Sequence, residues 1–263
     1  LFKKVLLPLA GYESVRQVKE VARYLTFFDT EEVVILNVSS SLLKSGKNTD
    51  KYINEFAEFH FVISQVHRKG DESEEILKAA KSENADLICF PWKKKTHLKR
   101  IIFGSRTKDA IRLTDLPVFI YKNQPFSQNK SDRTVLFATD FEESSFNIIS
   151  YITDYKLKFD NLVILNSGQR APDPEAEKKR LKKVYSGLDM LKNKCINSFS
   201  SVETVSAIGN TGKKIIKHAK KYQADLIVLG KNDESSSSSK ILGTSAEAVS
   251  QNKYCSVLLF PPK

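Results

Sequence analysis

The chain is poor in the residues that carry most metal, redox and membrane chemistry. Its 263 residues include three cysteines and four histidines. Cys89, Cys195 and Cys255 lie far apart, and His60, His67, His97 and His218 follow no ligand pattern. This spacing excludes a CxxC centre or a zinc ribbon and predicts reduced thiols in a cytoplasmic protein. No apolar run approaches the ~20 residues of a membrane-spanning helix, and no secretory signal is visible. Nucleophile elbows, Walker loops and HExxH helices are all missing. The acid pairs Glu74 with Glu75 and Glu142 with Glu143 stand beside helix starts, where they complement the helix dipole. The sequence therefore assigns no catalytic residue and no metal ligand.

Apolar residues make up 41% of the chain, enough for real cores, and its length suits about two ordinary domains. The net charge is +11 and the pI about 9.4. Two readings stay open. The lysines form a solvated surface, or they meet an anionic partner: nucleotide, nucleic acid or acidic lipid. No sequence-specific nucleic-acid partner is predicted. The basic stretch from Lys93 to Arg100 is a candidate contact for an acidic partner or a membrane surface.

Organisation comes from one repeated order. ADLIVLGKNDESSSSSKILGTSAEAV, from Ala224 to Val249, reads as a buried strand, a polar loop and a helix start. Four apolar residues in a row, Leu226 to Leu229, suit a parallel strand covered on both faces. The helix opening at Gly243, Thr244 and Ser245 has free backbone N–H groups and small residues, a generic phosphate seat. ADLICFPWKKKTHLKRIIFGSRTKDAI, from Ala85 to Ile111, repeats the order. With a shift of 139, Phe61 to Tyr121 overlays Ser200 to Phe260 without a gap. Near the starts the shift is 130, which lays VLLPLAGYES at Val5 on VLFATDFEES at Val135.

Each half thus alternates strands and amphipathic helices. The first has strands at Val5–Leu9, Val33–Val38, Phe61–Val66, Leu87–Phe90 and Pro117–Tyr121. Tyr52, Phe56 and Phe59 share a face of a short helix between the second and third. The second half has strands at Val135–Thr139, Leu162–Asn166, Val202–Ile208, Leu226–Leu229 and Val257–Phe260, with a Lys-rich helix over Glu175–Ser198. Such alternation predicts α/β architecture: two tandem, doubly wound, five-stranded parallel-sheet domains of Rossmann-like type. The polar segment from Lys122 to Arg133 reads as a linker, giving domains at 1–122 and 132–263.

This combination resembles the universal stress protein family in its tandem form, one copy per half. Nucleotide-binding members of that family carry Gly, two residues, Gly, nine residues, then Gly with Ser or Thr. They also carry an Asp at the end of the first strand, near adenine. The second half matches at Gly230, Gly243, Thr244 and Ser245, has Asp233 at the second glycine position, and ends its first strand with Thr139 and Asp140. The first half has Ala10, Pro91 and Lys94 at the corresponding places and keeps only Gly104 and Ser105, so its site is degenerate. The resemblance implies a stress-response-type binding or regulatory protein, with ATP, and Mg²⁺ to offset Asp233, in the second half. It also implies that the copies pair, within one chain or as a homodimer, through the last strands near Val118 and Val257. Two alternatives stay open: the regulatory region of a membrane transporter, kept alive by a first residue other than Met, and a weak ATP-hydrolysing enzyme.

Overall fold

Apolar runs bounded by turn residues form strands, and the amphipathic segments between them form covering helices. The computed structural model describes residues 2–11, 13–39, 50–91, 105–122, 131–154, 159–231 and 242–261. These fall into two compact units. The first contains β1 (Lys4–Pro8), α1 (Val15–Phe27), β2 (Glu32–Ser39), α2 (Ile53–Ala57), β3 (Val62–Lys69), α3 (Glu72–Ser82), β4 (Leu87–Pro91), α4 (Ser105–Leu113) and β5 (Val118–Tyr121). Its strands pair in the order β3-β2-β1-β4-β5, always parallel. The second contains β6 (Thr134–Thr139), α5 (Glu143–Asp154), β7 (Asn161–Gly168), α6 (Pro174–Cys195), β8 (Ser201–Ile208), α7 (Thr211–Lys221), β9 (Leu226–Gly230), α8 (Thr244–Ser250) and β10 (Ser256–Phe260). Its order is β10-β9-β6-β7-β8, again all parallel. Each unit is therefore a doubly wound, five-stranded α/β arrangement, as the repeat predicts.

The central strands are the continuous apolar runs. Val5, Leu6 and Leu7 of β1, Leu87 to Cys89 of β4, and Leu226 to Val228 of β9 are wholly buried. Helices on both faces remove these side chains from water, and a parallel strand so covered has no polar face to show. Pro8 stands at the end of β1, where its missing N–H is tolerated.

The repeat extends to individual hydrogen bonds. Asp86 Oδ2 accepts from the Lys4 N–H at 2.9 Å, and Asp225 Oδ2 from the Thr134 N–H at 3.0 Å. Each clamps the first strand of its unit to the fourth. Asp71 caps α3 and Asn210 caps α7 in the same manner. Asn84 and Gln223, both with positive φ, end those helices.

Most strand ends shift by a residue or two from the sequence reading, and three elements differ more. The third strand runs from Val62 to Lys69 rather than ending at Val66. It is an edge strand with alternating exposure, so Gln65, His67, Arg68 and Lys69 are tolerated and the apolar signal stops early. α6 starts at Pro174, where Asp173 Oδ1 accepts from the Ala176 N–H at 2.8 Å, and stops at Cys195, short of Ser198. The aromatic helix is a single 3-10 turn, Asp50–Tyr52, followed by α2. Tyr52 and Phe56 are wholly buried as expected, whereas Phe59 lies past the helix and stacks on Phe61.

Candidate functional site

In the second unit the chain leaves β6 toward β7 and β8, then returns to β9 and β10 on the other side. The direction of winding reverses between β6 and β9. Ligands of open α/β sheets bind outside the carboxyl ends of strands at such a reversal. The pairing shows the local opening. The β6·β9 register stops at Phe137↔Val228. Meanwhile β6 stays paired with β7 to Thr139↔Asn166, and β9 with β10 to Gly230↔Phe260. The last residues of β6 and β9 thus separate from each other while each remains held on its outer side.

Thr139, 7% exposed, ends β6. Its Oγ1 accepts from the Phe141 N–H at 3.0 Å, and its carbonyl accepts from Asn166 Nδ2 at 2.9 Å. Asp140 is exposed; its Oδ1 accepts from the Glu142 N–H at 3.0 Å and from Ser145 Oγ at 2.9 Å. The side chain is thereby fixed at the mouth of the opening. Immediately after Asp140 the chain makes a left-handed step at Phe141, φ 68°. A non-glycine residue holds that conformation only when its surroundings fix it. Here the Phe141 ring packs against Gly187 of α6: a Cβ at that glycine would lie 2.8 Å from two ring carbons.

On the other side of the opening, Gly230 ends β9 and Lys231 follows. Lys231 is 4% exposed and its N–H donates to the Phe260 carbonyl at 2.7 Å. Gly243 is the N-cap of α8, the helix that leads into β10, β9's neighbour. No side chain caps α8, whereas Ser14, Asp71, Asp173 and Asn210 cap α1, α3, α6 and α7. Thr244 is exposed and Ser245 half-buried in the first turn. The structure therefore brings Thr139, Asp140 and Gly230 to neighbouring strand ends, and sets Gly243, Thr244 and Ser245 at the start of α8. Asp233, the serine run, the Lys93–Arg100 stretch and Gly104 lie outside the described residues.

The sequence reading missed Asn166 and Phe141. Asn166 is 8% exposed and holds the end of β6 in place. Asn37 does the same in the first unit, donating to the Leu9 carbonyl at 3.2 Å. The signal was present: Ile35-Leu36-Asn37 and Ile164-Leu165-Asn166 both place an asparagine at the end of an apolar run. A buried amide there must find a partner, and the adjacent strand end supplies one.

The first unit opens at the same place but is filled from within. The β1·β4 register covers only Val5↔Leu87 and Leu6↔Ile88, while β1·β2 continues to Pro8↔Leu36 and β4·β5 to Pro91↔Tyr121. Glu13, 5% exposed, turns its carboxylate back onto the loop. Oε1 accepts from the Ala10 N–H at 3.0 Å and Oε2 from the Gly11 N–H at 2.9 Å. The Tyr52 hydroxyl donates to the Glu13 carbonyl at 2.7 Å, and burial, then the nearby carboxylate, raises its phenol well above the ordinary range. Lys51 Nζ donates to the Gly11 carbonyl at 2.9 Å. An internal carboxylate holds the backbone donors at the end of β1.

Among the described residues no group of His, Cys, Asp or Glu is placed to hold a metal ion, and no helix is long and apolar enough to cross a membrane. All three cysteines are buried and unbridged, and burial pushes the Cys195 thiol up to about 11. The arrangement suits binding of a small anionic ligand at the switch point of the second unit.

Comparison with known proteins agrees with this fold. The model described as the universal stress protein family matches residues 41–122 and 133–261. Universal stress protein MJ0577 of Methanocaldococcus jannaschii is 24% identical over 157 residues, covering 47% of this chain and 97% of the relative. A universal stress protein from Archaeoglobus fulgidus superposes with a TM-score of 0.72 at 21% identity, covering 98% of both chains. Protein PA1789 from Pseudomonas aeruginosa, described as functionally unknown, gives a TM-score of 0.73 at 17% identity over 99% of this chain and 93% of its own.

Proposed function

The chain belongs to the universal stress protein family, and from that premise we propose a stress-response-type binding or regulatory protein with one adenine-nucleotide site. The site belongs to the domain 132–263; the domain 1–122 is the degenerate copy. One observation carries the reading: the β6·β9 ladder ends at Phe137↔Val228, before either strand does, at the point where the winding reverses.

ATP is the ligand the site suits best. Adenine lies beside Asp140, whose carboxylate is already oriented by Glu142 and Ser145. The phosphates run toward Gly243, Thr244 and Ser245, where α8 starts without a side-chain cap. In this reading Lys231, buried just past β9, supplies positive charge toward the triphosphate. Asp233 repels it, and Mg²⁺ offsets that charge. In the first unit the Glu13 carboxylate occupies the equivalent loop, which supports one site per chain rather than two.

Calorimetric titration of the full chain with ATP, with and without Mg²⁺, tests the proposal. Asp140→Ala is expected to weaken binding about tenfold, the scale of one lost hydrogen bond to a charged group. Gly243→Val should weaken it further by blocking close approach, and Ser105→Ala should leave it unchanged. Binding that survives Gly243→Val but is lost when Lys93, Lys94 and Lys95 are neutralised moves the site to the first domain. Heat absent under both conditions removes the nucleotide from the account.

A further inference from the structure

α3 and α7 are the same helix in the two copies, related by the shift of 139 residues. Their exposed faces differ in charge. In α3, Glu74 and Glu75 both pair with Lys78. In α7 the positions of Glu74, Glu75 and Ser82 hold Lys213, Lys214 and Lys221, and those of Lys78 and Lys81 hold Lys217 and Lys220. Thus α7 carries five lysines and no acidic residue over its eleven positions.

The five are gathered on one face. At ~100° per residue they span an arc of about 120°. The arc lies opposite Gly212, Ile215 and Ala219, which are buried. Lys213, Lys217, Lys220 and Lys221 are exposed, and none of the five joins an ion pair among the described residues. Lys220 Nζ stands 3.6 Å over the Tyr254 ring.

Lys220 and Lys221 suit the last turn of α7, but the rest of the arrangement works against helix stability. Lys213 and Lys214 stand in the first turn, against the positive end of the dipole. Lys213 with Lys217, and Lys217 with Lys221, are like charges four apart. α3 shows that the fold accepts a balanced helix here. The accumulated potential also acts on His218, whose pKa is lowered first by burial and then by Lys221, Lys217 and Lys214.

We infer that the lysine face of α7 docks the phosphate backbone of double-stranded nucleic acid, without reading its sequence. A helix about 12 Å long from Lys213 to Lys221 is a convex cationic ridge. A groove ~12 Å wide, flanked by two phosphate strands, admits such a ridge. A flat bilayer would meet only its crest, and the arc holds no apolar side chain to insert as the second signal of stable anchoring. The arc has no Arg, Asn or Gln to pair with base edges, and lysines act as point charges on phosphates.

The test is fluorescence anisotropy of the full chain with a mixed-sequence duplex DNA over a salt series. With five phosphates neutralised, the slope of log K against log salt should be about −4.5. Copying α3 onto α7 with Lys213→Glu, Lys214→Glu and Lys221→Ser should reduce the slope to about −2 and weaken binding at least about tenfold at low salt. The triple variant should unfold no earlier than wild type, since two glutamates gained in the first turn outweigh one lysine lost from the last. A control with Lys182→Glu and Lys183→Glu on α6 should keep the wild-type slope. Several results would overturn the inference: no duplex binding at low salt, a triple variant that binds as wild type or is less stable, or a control that loses as much. Wild-type protein that binds phosphatidylserine vesicles or a poly-glutamate peptide in preference to the duplex would overturn it too.

Discussion

Replacing Gly187 with alanine would drive a methyl group into the Phe141 ring. The added Cβ would lie 2.8 Å from Cδ1 and Cε1 and 3.1 Å from Cγ. The ring has little freedom to withdraw. Its residue is held at φ 68° and its N–H is bound to Thr139 Oγ1 at 3.0 Å. Forcing a methyl into a packed contact costs about 1–3 kcal/mol. Against this, alanine gains up to ~1 kcal/mol over glycine in a helix interior. The balance is a loss of up to about 2 kcal/mol on these two scales. Guanidinium unfolding followed by circular dichroism measures it. In a Phe141→Gly background the clash is gone, so Gly187→Ala should become neutral or stabilising, and the double-mutant cycle should show coupling of at least about 1 kcal/mol. Gly187→Ala as stable as wild type, with no coupling to Phe141, would refute the claim that this contact fixes the turn after β6.

Further expectations concern other parts of the two units. Arg180, first, and the Ala171 N–H, second, hold the Glu177 carboxyl at about 2, below its ordinary 4.5. Its contribution to stability is therefore present above the unfolded value and lost as pH falls from about 4.5 through about 2. Glu177→Gln should flatten the pH dependence of the unfolding midpoint in that window, and an unchanged slope would contradict it. Gly212→Ala sets a methyl 2.7 Å from Ala248 Cβ and should destabilise by about 1–3 kcal/mol, relieved by Ala248→Gly. Asn166→Ala leaves the Thr139 carbonyl without its side-chain donor and should lower stability by about 1–3 kcal/mol, measured by thermal unfolding. The buried cysteines should resist thiol reagents at pH 8 in the folded protein and react on denaturation; fast native labelling of Cys195 would contradict its burial.

What the sequence made legible was what is local or repeated. Leu226 to Leu229 is a buried strand because an uninterrupted apolar run has only the interior to occupy, and the second copy removed the helix alternative. Asp86 and Asp225 recur in ADLI, and their clamps on the first strands recur with them. The polar tail of β3 was illegible because an edge strand is held by backbone bonds rather than by apolar side chains. The short α2 was overread because three aromatics at helical spacing fit equally a tight turn followed by a short helix. At the candidate site, the apolar pattern located the strand ends at Thr139 and Gly230, and the family resemblance singled out Asp140. Phe141 and Gly187 were not, because their contact joins a loop to a helix 46 positions later and no residue type announces it. The fold-back of Glu13 was hidden for a related reason. An acid near a helix start suits the dipole, and only the path of the β1–α1 loop reveals that it binds Ala10 and Gly11 instead.

The most direct measurement of the central claim is the stoichiometry of ATP–Mg²⁺ binding to the full chain by calorimetry. The account predicts one nucleotide per chain, reduced toward none by Gly243→Val and kept at one by Glu13→Gln. Two nucleotides bound by the wild-type chain, or one that survives Gly243→Val, would contradict it.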